Sequence, residues 1–389
     1  MTSSAEWKRR YSATFMNTFG VPSLALVRGE GVHVWDADGR EYLDLLGGIA
    51  VNALGYAHPA LTAAIEAQLQ TIGHVSNFFT TPIQVTLGEK IAQIFKESGY
   101  SAPVRIFLAN SGTEANEAAV KLTRLHKPGG RLLAFTHAFH GRTLGALSVT
   151  AKAVIREPFE PLPGNVEFVE PTVEALRQAF SDDVAGIFME PIQGEAGVLP
   201  LDPAVMREAR SLCDRFGALL VIDEVQTGIG RTGSWLASAD TVKADVVTLA
   251  KALGGGFPIS ACVGVGAAGE LFTPGSHGST FGGNPLACAA SAATLDQVGP
   301  LLGHVREVGE WLAGQLQDAG YAVRGKGLLR GVAVADAPVA VSALLDRGII
   351  VNAPNPQTLR LAPPLTITDA DLVPFIQAMR DLAPDQAMG

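Results

Sequence analysis

Five apolar runs punctuate the middle of the chain: VRIFLA, RLLAFT, AGIFME, LLVID and DVVTLA. Between about Pro59 and Ala290 they alternate with segments whose apolar residues recur at helical spacing. From Pro203 to Phe216, for example, Val205, Ala209, Leu212, Cys213 and Phe216 share one face. A parallel strand buried on both faces is continuously apolar, whereas a half-exposed strand alternates. Such runs alternating with amphipathic helices predict βαβ units, and hence an α/β fold with a large, mostly parallel sheet flanked by helices. Ahead of them, HVWDADGREYLDL predicts a hairpin from His33 to Leu45 that turns at Asp38-Gly39. After about Pro300, helix-like segments lead into short runs such as GVAVAD and LRLAPPL. The expected division is residues 1–58 as an N-terminal segment of a small domain, 59–290 as the large domain, and 291–389 as the C-terminal part of the small α+β domain.

Open α/β sheets place their chemistry just past the carboxyl ends of the strands. Asp223 ends LLVID and Lys251 follows DVVTLA, so a carboxylate and an amine are expected in one crevice. Taken singly, each has an ordinary explanation, the aspartate as a turn former and the lysine as a solvated cation. Gly254, Gly255 and Gly256 behind Lys251 weigh against it, because such a run lets backbone approach a ligand closely. The pair suits pyridoxal 5'-phosphate, whose aldehyde bonds a lysine amine and whose ring nitrogen needs an anionic partner to stay protonated.

Three further segments add to this. In NSGTEANEAA, Ser111 followed at three residues by Glu114 predicts a capping box, which puts Ser111, Gly112 and Thr113 at a helix N-terminus able to hold an anion. HAFHGRT offers Phe139 as a flat apolar surface for a ring and Arg142 as a fork for a carboxylate, although each alone reads equally as core or surface. HGSTFGGNP offers Ser279 and Thr280 in a glycine-bordered loop, for which plain turn chemistry is the alternative.

With 389 residues, 47% of them hydrophobic, the chain can bury a large core. Its net charge of -9 and the absence of a basic run disfavour nucleic acid or an anionic membrane as partner and favour small-molecule substrates. No apolar run reaches the roughly 18 residues that a membrane span needs. MTSSAEWKRRYSATF lacks the apolar stretch of a secretory signal. Cys213, Cys262 and Cys288, odd in number and set in apolar sequence, read as reduced thiols, so a cytoplasmic location is expected. The histidines form no metal-ligand spacing, and no metal site is expected.

Taken together, GGIAVNALGYAHP, NSGTEANEAA, FHGRT, EPIQGEAG, IDEVQTGIGRTG, LAKALGGG, GSTFGGNP and LRLAPPLT resemble, in order and spacing, the class III, ornithine-type aminotransferases of pyridoxal phosphate fold type I. The resemblance covers most of the chain. It implies a lysine-bound pyridoxal phosphate on Lys251, Asp223 as partner of the ring nitrogen, and Gln226 on the ring's phenolic oxygen. It also implies Gly112 and Thr113, beside Ser111, on the phosphate, Phe139 stacked on the ring, and His140, Glu224 and Val225 among the cofactor-binding residues. A homodimer with shared active sites would bring Thr280 to the neighbour's phosphate and Ser279 to its substrate. Arg142 would bind the amino donor, and Arg360 the α-carboxylate of glutamate, with Glu195 pairing Arg360 when the other substrate is bound.

GGIAVNALG and LRLAPPLT most resemble the family members of arginine biosynthesis that act on N-acetylornithine and 2-oxoglutarate, yielding glutamate. Succinyl-diaminopimelate, free ornithine or 4-aminobutyrate as the amine, an aminomutase of the same fold, and a cofactor-binding regulator without turnover are the alternatives. Intact Lys251, Asp223, Arg142 and Arg360 oppose the last. Two positions depart from the group: Tyr56 stands where a histidine is usual, and Ile49 where ornithine-specific members carry a tyrosine. An apolar residue at 49 favours an acylated amine.

Overall fold

Residues 2–382 are described in the computed structural model; Met1 and residues 383–389, the tail of the expected C-terminal segment, lie outside the described residues. The five apolar runs are strands of one seven-stranded sheet. In spatial order it runs Val104–Ala109, Ser260–Val265, Val246–Leu249, Leu219–Asp223, Val184–Met189, Arg131–Phe135 and Val166–Val169. Only Ser260–Val265 runs against its neighbours, so six strands end at the same edge. All six residues of Val184–Met189 are buried, as continuous apolarity requires when helices cover both faces. The two strands not anticipated have clear reasons: SACVGV is apolar throughout and carries no sign of its direction, and VEFV is a short edge strand with an exposed glutamate.

The helix Pro203–Phe216 forms where its periodicity placed it. Asp202 caps it, accepting from Ala204 N–H at 2.7 Å, and Gly217, at φ 59°, ends it in a left-handed turn. By contrast, the helix-like pattern expected after Pro300 begins earlier. One helix spans Pro285–Asp318, capped by Asn284 and running through Pro300, and it crosses the expected boundary at residue 290 without a break. Its buried residues continue past the proline as Val305, Val308, Leu312 and Leu316, so packing outweighs the one backbone hydrogen bond that the proline forfeits.

The hairpin His33–Asp36/Glu41–Asp44 turns at Gly39 (φ 85°), and the C-terminal strand Ile349–Ile350 adds to it in parallel, pairing Ile349 with Leu43. A second, antiparallel sheet orders Val323–Lys326, Leu329–Ala333, Thr358–Leu361 and Asn352–Asn355, and it carries Arg360. Among the described residues no helix is long and apolar enough to cross a membrane.

The structure gives Tyr56 a role. Its ring lies on Gly29, where an added Cβ would come within 2.5 Å of the ring, and its hydroxyl donates to Asp44 Oδ2 at 2.6 Å. Asp44 Oδ1 in turn accepts from Leu46 and Gly47 N–H, the start of the GGIAVNALG segment. Burial, followed by the Asp44 charge, raises the phenol well above its ordinary pKa. Tyr56→Phe removes one hydrogen bond to a carboxylate and should cost about 1–2 kcal/mol. Urea unfolding would test this; an unchanged midpoint would mean that the hydroxyl does not brace the turn.

Candidate active site

The common strand edge opens into a cavity of about 440 Å³ lined by residues from five strand ends, including Ser111, Phe139, Glu190, Asp223 and Lys251. Asp223, the last residue of its strand, is held by three donors. Asn116 Nδ2 and His140 Nδ1 reach Oδ2, each at 2.8 Å, and Val225 N–H reaches Oδ1 at 2.9 Å. Thr248 Oγ1 donates to Asn116 Oδ1 and thereby fixes the amide's orientation, while Thr150 Oγ1 accepts from His140 N–H. The carboxylate is thus fixed in direction as well as in place.

Lys251 sits at φ 46°, a left-handed conformation that costs a non-glycine residue on the order of 1 kcal/mol, at the start of the turn Lys251–Gly254. Burial, then repulsion from Arg360, lowers its amine to about 8. Glu190, directly after the strand Val184–Met189, is buried and accepts from Phe139 N–H at 3.2 Å. Its carboxyl is raised well above the usual range by burial and then by the charge of Asp223.

Ser111 caps the helix Gly112–His126, its Oγ accepting from Glu114 N–H, but the return bond differs from the expected capping box. The Glu114 carboxylate reaches Asn110 N–H, one residue further out, and also accepts from Ser111 Oγ. The Ser111 hydroxyl is therefore engaged within the cap. Gly112 and Thr113 are the first two helical residues, so their N–H groups have no intrahelical acceptor and sit at the cavity wall. A side chain at 112 would strike Val225, at 2.8 Å.

Opposite them, Arg360 is fully buried. It donates through Nε to Asn352 Oδ1 at 3.1 Å and through Nη1 to the Glu195 carboxylate and, at 3.4 Å, to Gln226 Oε1. Burial raises the Glu195 carboxyl, and the Arg360 guanidinium outweighs it, so the net shift is downward. Gly194 leaves room for Gln226, whose Oε1 lies 1.8 Å from where a Cβ would stand. Arg142 is exposed at the mouth, with its guanidinium carbon 5.9 Å from the centre of the Phe139 ring.

Eleven of the anticipated residues line this cavity: Ser111, Gly112, Thr113, Phe139, His140, Arg142, Glu195, Asp223, Val225, Gln226 and Lys251. Arg360 joins them through Glu195. Glu224, also expected among the cofactor-binding residues, does not line the cavity. Its buried carboxylate turns away to accept from Thr227 Oγ1 and from the N–H and hydroxyl of Ser238. Ser279 and Thr280 also lie outside the cavity of their own chain. Ser279 Oγ accepts from Asn110 Nδ2 at 3.1 Å, and Thr280 is exposed. Glu190 and Asn116 carried no expectation, although Glu190 follows an apolar run just as Asp223 ends one.

Comparison with known proteins fits this geometry. The family model for class-III aminotransferases matches residues 16–382. The chain is 48% identical to the acetylornithine aminotransferase of Mycolicibacterium smegmatis, over 95% of this chain and 96% of that one. It is 45% identical to that of Streptomyces clavuligerus, over 98% and 96%. Among solved structures it is similar to an ornithine aminotransferase from Toxoplasma gondii, with a TM-score of 0.92 and 30% identity over 98% of this chain and 95% of that one. It is also similar to an N-acetylornithine aminotransferase from Stenotrophomonas maltophilia, with a TM-score of 0.81 and 32% identity over 95% and 97%. The chain belongs to the class-III aminotransferases. It is a pyridoxal-phosphate-dependent enzyme of fold type I.

The lowered pKa of Lys251 yields a direct test. In cofactor-free protein an amine-reactive reagent should label Lys251 with a midpoint at about 8, against the ordinary 10.5 of an exposed lysine. Because the folded pKa lies below the unfolded one, the neutral amine also adds stability as pH rises from about 8 to 10.5 and none below 8. Labelling of Lys251 in step with the exposed lysines would contradict burial as the cause.

Proposed function

We propose that this enzyme transfers the terminal amino group of N-acetylornithine to 2-oxoglutarate, giving N-acetylglutamate 5-semialdehyde and glutamate, in the cytoplasm and as a step of arginine biosynthesis. The observation that carries the reading is 45–48% identity across nearly the whole chain to relatives named for that activity. The site fits the cofactor: an amine and an oriented carboxylate face one cavity, beside a helix N-terminus with free N–H groups. Bound there, pyridoxal phosphate supplies an electron sink and carries the amino group between substrates.

The chain's own residues do the rest. The three donors on Asp223 keep its carboxylate aimed at a ring nitrogen. Gly112 and Thr113 N–H groups would hold the phosphate, and Phe139 and Val225 would hold the ring while Gln226 would meet its phenolic oxygen. Lys251 Nζ, its pKa lowered to about 8 by burial and by Arg360, would bond the cofactor at rest and would move the substrate proton when released. Arg142, free at the mouth, takes the carboxylate of the acylated donor. Arg360 exchanges the Glu195 carboxylate for the α-carboxylate of glutamate or 2-oxoglutarate.

The backbone likeness to an ornithine aminotransferase favours free ornithine as a second reading; Ile49 in place of a tyrosine favours the acylated amine. Steady-state rates with purified holoenzyme and 2-oxoglutarate decide between them. N-acetylornithine should exceed ornithine and 4-aminobutyrate in kcat/KM by at least about tenfold, as a site that must bury an acyl group discriminates. Succinyl-diaminopimelate should follow as a second substrate. A preference for free ornithine would overturn the assignment.

A homodimer with shared sites completes the reading. Phe78, Phe79 and Phe281 are 94%, 69% and 59% exposed, and they cluster where Asn77 Nδ2 donates to Ser279 O, beside Thr280. Such an apolar patch fits a second copy of the chain across a two-fold axis, with Ser279 and Thr280 entering the neighbour's cavity. Mixing inactive Lys251→Ala and Thr280→Arg subunits should restore up to about one working site per heterodimer, because both lesions then fall in the same site. No recovery in verified heterodimers would refute the sharing.

A further inference from the structure

Arg231 and Arg360 are the largest fully buried side chains among the described residues, and Arg231 has no exposed surface. It forms no ion pair among the described residues, and burial alone lowers its guanidinium to about 9. Nη1 donates to two carbonyls, Leu328 O at 3.1 Å and Pro363 O at 2.5 Å, while Nε and Nη2 have no acceptor. A buried cation with unmet donors is a poor source of stability, and an apolar side chain of similar volume would fill the space at lower cost. Its two occupied acceptors suggest a different purpose. Leu328 immediately precedes the strand Leu329–Ala333, whose Gly331 pairs with Arg360, and Pro363 follows Arg360 by three residues. Leu328 N–H also donates back to Arg231 O at 3.1 Å. The turn at Gly327 presses on the same loop, where a Cβ would come within 2.6 Å of the Thr232 backbone. On its other side, Arg231 lies in the long connection between the strands Leu219–Asp223 and Val246–Leu249, five residues after Gln226, and Glu224 braces this connection on Ser238.

We infer that Arg231 is a positioning residue, one that fixes the Arg360 strand against the Asp223–Gln226 loop and so sets where Arg360 meets a substrate carboxylate. This rests on the reading that Arg360 serves the glutamate half-reaction. The test follows both half-reactions of the holoenzyme by stopped-flow absorbance in Arg231→Met, Arg231→Gln and Arg360→Ala, with melting temperatures recorded alongside. Arg231→Met should lower kcat/KM for glutamate about 10- to 100-fold, chiefly through KM, while the N-acetylornithine step stays within about threefold. Arg231→Gln, whose amide can still donate to one carbonyl, should recover part of the loss. Equal losses in both half-reactions, or no loss in folded Arg231→Met, would overturn the inference. If Arg231→Met yields no folded holoenzyme, Arg231→Lys must give the same one-sided loss, and an even loss there overturns it equally. Arg360→Ala separates the two claims: if it impairs only the glutamate step while Arg231 variants are even-handed, the positioning role alone fails. If Arg360→Ala is itself even-handed, the reading of Arg360 fails first.

Discussion

The constraint on which the site depends is directional: six of seven strands run the same way, so their ends converge on one edge. A parallel sheet leaves this edge unpaired at its carboxyl ends, where residues can face a cavity without surrendering ladder hydrogen bonds. Ser111, Phe139, Glu190, Asp223 and Lys251 come from five different connections, yet they meet within one cavity. Asp223 is the fixed point among them. Its three donors derive from the following turn, a neighbouring helix and the loop after another strand, so moving any of these elements would turn the carboxylate.

Charge in the cavity is arranged to hold a lysine near its titration point. Lys251 is pulled toward neutrality by burial and by Arg360, and held back by Glu195, Asp223 and Glu190. Glu190 moves the other way, because a second carboxylate buried near Asp223 favours its protonated form. The site therefore holds one carboxylate oriented by three donors and pushes a second carboxyl toward its protonated form within the same wall, by environment rather than by residue type. The strained φ of Lys251 belongs to the same design: the glycines after it allow the turn that points an amine back over the strand ends.

The sheet and much of the site were legible in the sequence because strand ends leave a local mark, an apolar run followed by a polar residue. Asp223 and Lys251 carried that mark. Glu190 carried it too, but a lone carboxylate after a strand has no chemistry of its own until Asp223 and Lys251 are seen beside it. Glu224 shows how neighbours at a strand end diverge: Asp223 faces the cavity, and the next side chain turns toward Ser238. The partnership of Arg360 with Glu195 spans 165 residues and has no local signature; only the family resemblance suggested it. Arg231 shows the same limit, since a glycine-flanked arginine reads as a surface turn until its two carbonyl acceptors are found in the distant sheet.

The Arg360–Glu195 pair raises an energetic question that the proposed two half-reactions answer. Leaving a fully buried guanidinium without an anion costs several kcal/mol, a cost Arg231 already carries, so an unpaired Arg360 would add a second such penalty at rest. Glu195 removes that cost at rest, and because it is itself a carboxylate, its replacement by a substrate carboxylate exchanges one charge-assisted pair for another at nearly equal energy. Glu195 is 28% exposed at its side chain against 1% for Arg360, so the glutamate can swing toward water while the arginine stays put. Arg360 can stay put only if its strand is held. Asn352 on the adjacent strand supplies one restraint, and the carbonyls clamped by Arg231 supply the restraint against the large sheet. In the proposed half-reactions the more exposed carboxylate and the buried cation would form two halves of one device, in which substrate selection costs little because only the partner with access to solvent would have to move.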